Sequence, residues 1–314
     1  MSKQPLIDQL DQAISGILGN SDFTPASADP ELTELLGIAA GLRGLPRPDF
    51  KASLKADLER KAIMSAKAVV FRTGFRTITP YLLPQGPEFI DFLKRVFDAE
   101  ETERTPTTQH GFHAEVRIGD SMLMLGVGSG RSMPALLGVY APDVDDVYKR
   151  AVNAGCVELE AVREDYGDRS GCVQDPAGNQ WVIATHMGGN YIREGRNSIS
   201  VNFVTAGAVR FVDFVKAAFN AQEIERHEWP GGFYASIRIG DSVVGVSEPT
   251  NHEWMRPMPT MIYMYVPDCD ALYAQALRAG AKSISPLADQ SYGDRHGGVQ
   301  DEWGNQWYIA SPIR

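Results

Sequence analysis

The chain has 314 residues, 43% of them hydrophobic and 22% charged, with a formal net charge of -10. That length suits two average domains plus an appendage, each domain large enough to bury a core without staples. The acidic balance excludes a general binder of phosphate backbones, which needs a basic face, and no run of about 18 uninterrupted apolar residues is present to span a bilayer. Neither nucleic acid nor a membrane is expected as a partner. Cys156, Cys172 and Cys269 are odd in number and lack CxxC spacing, so neither a disulfide framework nor a structural zinc site is indicated. The opening stretch MSKQPLIDQLDQ carries acids where a secretion signal needs an apolar core, and a cytoplasmic location follows.

Residues 1–76 are expected to be a helical segment. Leu6, Leu10, Ile14 and Leu18 recur at helical spacing, as do apolar residues from Leu32 to Leu42 and from Phe50 to Ala62, with turns at Pro25, Pro30, Pro46 and Pro48. No His or Cys occurs there, so packing or assembly is the expected role: capping the domains, forming a homodimer or recruiting a partner.

The rest of the chain repeats. YGDRSGCVQDPAGNQWVIA, from Tyr166 to Ala184, recurs as YGDRHGGVQDEWGNQWYIA from Tyr292 to Ala310, and earlier pieces recur in the same order, FHAEVRIGDSMLML with FYASIRIGDSVVGV and VYAPDVDDVYKRAVNAG with MYVPDCDALYAQALRAG. Copy one is placed at 77–188, copy two at 198–314, with GGNYIREGRN as linker. Within copy one the pattern predicts a strand over Ile78 to Leu83 and a helix over Pro87 to Phe97. A hairpin of Phe112 to Ile118 and Met122 to Gly126 then turns on Gly119. A second round follows, with a strand over Leu137 to Ala141, a helix over Asp143 to Asn153, a strand, a turn at Asp175 to Asn179 and a last strand over Gln180 to Thr185. The Asp-x-x-Gly-Asn turns read as structural, with Gly and Asn in left-handed conformations.

Taken together, ITPYL, FHAEVRIGDSMLML, PDVDDVYKRAVNAG and YGDRSGCVQDPAGNQWVIATH, matched again in copy two, resemble the PhnB-like branch of the vicinal oxygen chelate (glyoxalase/bleomycin-resistance) superfamily. The resemblance covers about three quarters of the chain. It implies an α+β fold of tandem domains built from paired βαβββ modules, packed as an intramolecular pseudo-dimer, with a cleft on a concave sheet. It also implies a place for a divalent metal, held by His, Gln or Glu on equivalent strands.

Those places hold poor ligands in both copies: Ile78 or Thr79 and Ile199 or Ser200 on the first strand, Leu136 and Met261 on the strand opening the second module, Val182 and Tyr308 on the last. No cofactor is therefore expected. The alternative is a shifted site using His113 and Glu115, which lie at i and i+2 on one strand face. His110, His186, His227, His252 and His296 are the other histidines, and of these His186 and His296 are not matched between copies.

The repeated Tyr166-Gly-Asp-Arg169 and Tyr292-Gly-Asp-Arg295 present an Arg fork suited to an anionic ligand, or else a loop whose Arg pairs with a nearby Asp. Copy two is rich in aromatic residues, Phe233, Tyr234, Trp254, Tyr263, Tyr265, Tyr292, Trp303, Trp307 and Tyr308, and such a set on a concave sheet makes a stacking pocket for a planar ligand. Trp254 lies in EPTNHEWMRPMP, a segment placed to act as a lid. Expected ligand-binding residues are thus Trp254, Tyr263, Tyr265, Tyr292, Arg295, Trp307, Tyr308, His113, Tyr166 and Arg169. The expected function is a metal-independent protein sequestering a small organic ligand. A metal-dependent lyase, isomerase or dioxygenase is the alternative, and a regulatory protein recruiting a partner through its helices is a third possibility.

Overall fold

The computed structural model describes residues 74–107, 111–250, 252 and 254–313. The expected N-terminal helices and His110 lie outside the described residues. Four βαβββ modules follow one another. The first holds β1 (Ile78–Leu82), α1 (Glu88–Phe97), β2 (Glu100–Pro106), β3 (Phe112–Ile118) and β4 (Ser121–Val127). The second holds β5 (Leu136–Tyr140), α2 (Val144–Asn153), β6 (Val157–Asp165), β7 (Asp168–Gln174) and β8 (Gln180–His186). Copy two repeats the scheme with β9 (Ile199–Val204), α3 (Ala208–Phe219), β10 (Gln222–Trp229), β11 (Gly232–Ile239) and β12 (Ser242–Ser247), then β13 (Met261–Tyr265), α4 (Cys269–Arg278), β14 (Lys282–Asp289), β15 (Asp294–Gln300) and β16 (Gln306–Pro312).

The strands form two eight-stranded sheets, and each draws on both copies. β14-β15-β16-β13-β1-β4-β3-β2 joins the first module to the last, and β10-β11-β12-β9-β5-β8-β7-β6 joins the two middle ones. We call them the terminal and the central sheet. Their seams are antiparallel, with Thr79 opposite Tyr263 in one and Ser200 opposite Gly138 in the other.

Each helix carries an apolar stripe into a core on one side of the sheets. In copy one Trp181 lies against Phe97, ring centroids 4.6 Å apart; in copy two Trp307 lies 4.5 Å from Phe219 and 5.3 Å from Phe203. Helix contacts thus tie a copy together, whereas strand pairing ties the copies to each other. The Asp-x-x-Gly-Asn turn anchors this core. Asp175 accepts hydrogen bonds from the Ala177 and Asn179 N–H groups, from Asn179 Nδ2 and from Trp181 Nε1, while Asn179 Oδ1 accepts the Ala135 N–H. Gly178 and Gly304 are left-handed, as expected, but Asn179 and Asn305 are not. The Asn is needed for its hydrogen bonds rather than its backbone.

The repeated RIGDS turn does more than close a hairpin. Gly119 has φ 57°, and a Cβ there would stand 2.2 Å from Ser198 Oγ. Only a residue without a side chain allows the other copy to approach so closely. Asp120 accepts the Ser198 N–H at 2.8 Å and Ser121 Oγ accepts the Ile199 N–H. Reciprocally, Asp241 accepts the Thr77 N–H and Ser242 Oγ the Ile78 N–H. Arg76 reaches both, Nη2 to Asp120 at 2.9 Å and Nη1 to Asp241 at 3.7 Å.

Candidate functional site

The side of each sheet turned away from the helices is its inner face, and alternation assigns residues to it. On the terminal sheet the buried Ile78, Ile262, Trp307 and Ile309 point to the helices, which leaves Thr79, Tyr81, Met124, Tyr263, Tyr265, Tyr308 and Ala310 on the inner face. Met124, Tyr263, Tyr265 and Ala310 form a separate buried cluster there, against which Phe75, Tyr81 and Tyr308 pack. Phe75 meets Tyr265 edge-on at 5.5 Å and Tyr263 lies 5.1 Å from Tyr265.

Polar groups border this floor. The hydroxyls of Tyr263 and Tyr265 both donate to Asp294 Oδ2, at 3.1 and 3.0 Å. His296 sits among Tyr263, Tyr292 and Tyr308, with centroids 5.8 to 6.2 Å apart, and its buried Nδ1 meets no hydrogen-bond partner among the described residues. Burial pulls the His296 pKa down, against the pull of Asp294. Across the sheet, His113 Nδ1 lies 3.3 Å from the Tyr81 hydroxyl and its Nε2 3.5 Å from Glu115 Oε1. Burial, with Tyr292 and Tyr308 nearby, pushes the Tyr81 pKa up to about 12, and burial with Tyr292, Tyr265 and Asp294 pushes Tyr263 far higher. These phenols stay protonated at neutral pH and serve as hydrogen-bond donors.

The central sheet has another character. Gly138 and Val182 stand beside Ser200 in the places held beside Thr79 by Tyr263 and Tyr308. Tyr140, His186 and Arg193 converge on Asp168, at 3.1, 2.7 and 3.0 Å. Gln180 Nε2 donates to the Trp254 carbonyl at 2.9 Å, which sets the segment carrying Trp254 against this sheet.

The expected residues therefore separate. Tyr263, Tyr265, Tyr292, Tyr308 and His113 meet on the terminal sheet. Trp254 and the exposed Tyr166 belong to the central one. Trp307 is a correction: it is fully buried among the helices, because alternation turns it away from Tyr308. Phe233 is likewise buried on the helix side, and the half-buried Trp303, in the turn before β16, packs on Phe211 and Phe214 of α3 rather than on the inner face. Arg169 and Arg295 are corrected likewise, since β7 and β15 aim them at the helix side. There they make two-pronged ion pairs with Asp145 and Asp270, at 2.7 Å, not with the aspartates of their own turns. Sequence reasoning missed Asp168 and Asp294 as hubs, although each sits in the quoted tetrapeptide.

Among the described residues a divalent ion finds no fitting donor set. The inner-face rungs Thr79–Tyr263–Tyr308 and Ser200–Gly138–Val182 offer neither imidazole nor carboxylate, and among the described residues no three His, Cys, Asp or Glu gather around a point.

The family model described as Glyoxalase/Bleomycin resistance protein/Dioxygenase superfamily matches residues 84–183. An uncharacterized protein of Mycobacterium bovis is 34% identical over 128 residues, spanning 37% of this chain and 84% of that protein. An uncharacterized protein of Mycobacterium tuberculosis is equally similar over 75% of its length. Among solved structures, glyoxalase I from Zea mays superposes with a TM-score of 0.59 at 11% identity, covering 74% of this chain and 92% of that one. A putative dioxygenase from Bacillus subtilis gives 0.53 at 12% identity, covering 78% and 86%. At such identities the structural likeness speaks for the fold alone. With the sequence relatives and the βαβββ modules beside it, the chain belongs to the glyoxalase/bleomycin resistance protein/dioxygenase superfamily.

Proposed function

We propose that the protein binds a small planar organic ligand on the inner face of its terminal sheet, without a metal ion, and so sequesters a drug or metabolite. The observation that carries this reading is the cluster of Tyr81, Tyr263, Tyr265, Tyr308, Phe75 and Met124, bordered by the Nδ1 of His296, which has no partner among the described residues. Aromatic surface supplies stacking and apolar burial, and one polar anchor fixes orientation. The motifs around YGDR and GNQW favour the PhnB-like branch. We place the protein in the cytoplasm, with residues 1–76 serving assembly as a homodimer or the recruitment of a partner.

Thermal-shift and calorimetric titration with a panel of planar aromatic compounds tests the proposal. A binder should lose about tenfold or more in affinity in Tyr308→Ala, since stacked aromatic contacts contribute about 0.5–1.5 kcal/mol beyond buried area. If no compound of the panel binds, or binding survives unchanged in both Tyr308→Ala and Tyr263→Ala, the reading is wrong. The 3.5 Å approach of His113 to Glu115 keeps a second reading, a metal-dependent lyase, isomerase or dioxygenase. Titration of zinc, nickel, manganese and iron(II) against melting temperature separates the two. A stoichiometric rise that is lost in His113→Ala would establish the second.

A further inference from the structure

The two copies have diverged in charge on their inner faces, and the strand register locates each change. In copy one Arg117 pairs across to Glu100. In copy two the corresponding Arg238 stands opposite Gln222, which has no charge to offer it. The buried Glu115 of FHAEVRIGDS is replaced by the buried Ser236 of FYASIRIGDS. Phe75, three residues before β1, is replaced by Arg196, three residues before β9. Two carboxylates are thus absent and one guanidinium added on the central sheet.

Arg196 folds back from the linker so that its Nη2 donates to Ser236 Oγ, which in turn donates to the Tyr234 hydroxyl at 3.2 Å. Arg238 lies two residues beyond Ser236 on the same face, about 7 Å along the strand. Among the described residues no carboxylate pairs with either guanidinium. Two acids that face the same side are occupied elsewhere, Asp168 with His186 and Arg193 and Glu225 with His227 at 2.7 Å. Ser200 and Asn202 complete a lining of neutral hydrogen-bonding groups, with Gly138 and Gly245 in place of bulky side chains. Half-buried arginines without counter-ions are costly unless an anion completes them, and the planar fork matches a carboxylate or phosphate group.

We propose that the central sheet is a second binding site, selective for a small oxyanion-bearing ligand, with Arg196 and Arg238 as its anion clamp and Ser236, Tyr234, Ser200 and Asn202 as hydrogen-bonding partners. It stands apart from the aromatic floor of the terminal sheet and does not depend on that floor's function.

The test is calorimetric titration of the full chain, at low ionic strength, with inorganic phosphate and separately with malonate. One anion per chain is expected. Arg238→Gln and Arg196→Gln should each weaken binding about tenfold or more, Ser236→Glu should abolish it by restoring the carboxylate found in copy one, and Tyr308→Ala should leave it unchanged. Binding of phosphate alone or malonate alone supports the site and names the ligand class. Absence of binding by both anions overturns the proposal. So does binding that persists in Arg238→Gln and Ser236→Glu variants whose circular dichroism and melting temperature match the parent.

Discussion

Replacing Asp120 by Ala tests how the two copies are locked. The substitution removes the acceptor of the Ser198 N–H, whose residue is 2% exposed, and stranding a buried donor costs about 1–3 kcal/mol. The hydrogen bonds from Ser121 and Asn197 are lost as well. The ion pair with Arg76 adds little, because the side chains are 31% and 42% exposed and such pairs contribute under about 1 kcal/mol. The sum is about 2–4 kcal/mol, which corresponds to a fall in melting temperature of about 5–10 °C for a cooperative unit of this size. Asp120→Asn keeps an oxygen for the Ser198 N–H and should cost about half as much. Burial opposes ionisation of Asp120, yet the Ser198, Ser121 and Asn197 hydrogen bonds and Arg76 hold its pKa below the usual carboxylate range. Its contribution is therefore full above the unfolded pKa of about 3.9 and fades as pH falls through the lower folded value. The difference between parent and Asp120→Ala, measured by urea denaturation, should shrink from pH 7 to pH 3. A melting temperature within about 2 °C of the parent at pH 7, or a difference that does not shrink in acid, would refute the clasp.

Two further outcomes follow from groups already described. Asp175→Ala strands the buried Trp181 indole N–H and the Asn179 side chain, and should cost about 3–5 kcal/mol; an unchanged urea midpoint would contradict the anchoring role. His296 has a lowered pKa because it is buried, so the unfolded chain takes up its proton first as pH drops below about 6.5. The parent should lose more stability than His296→Gln between pH 7.5 and pH 5, and parallel pH profiles would count against that environment.

The elements that follow apolar periodicity were legible in the sequence. α1 and β3 lie within a residue of their expected limits, and the Asp143 and Asp268 caps open α2 and α4. β2 was not, because EETERTP is an exposed edge strand whose charges serve solvent and keep other strands away. The exchange of modules between sheets also left no local mark, since β1 carries the same alternation whether its neighbour is β5 or β13. Among the candidate residues, the tyrosines of copy two were legible from composition. The direction of Arg169 and Arg295 was not, because it depends on whether the tetrapeptide is a loop or already the start of a strand. Arg196 sat in what read as a linker, and only a position-by-position comparison of the copies, Phe75 against Arg196 and Glu115 against Ser236, makes it stand out.

The exchange of modules has a consequence for how such a molecule can change. A lone copy owns two half-sheets and can complete them only by pairing with a second copy, and two identical copies would be bound by their twofold symmetry to build two identical faces. Joining the copies in one chain lifts that constraint. A substitution in β3 then alters the terminal sheet alone, and one in β11 the central sheet alone. The aromatic floor on one side and the pair Arg196 and Arg238 on the other are the kind of difference that a symmetric pair could never acquire.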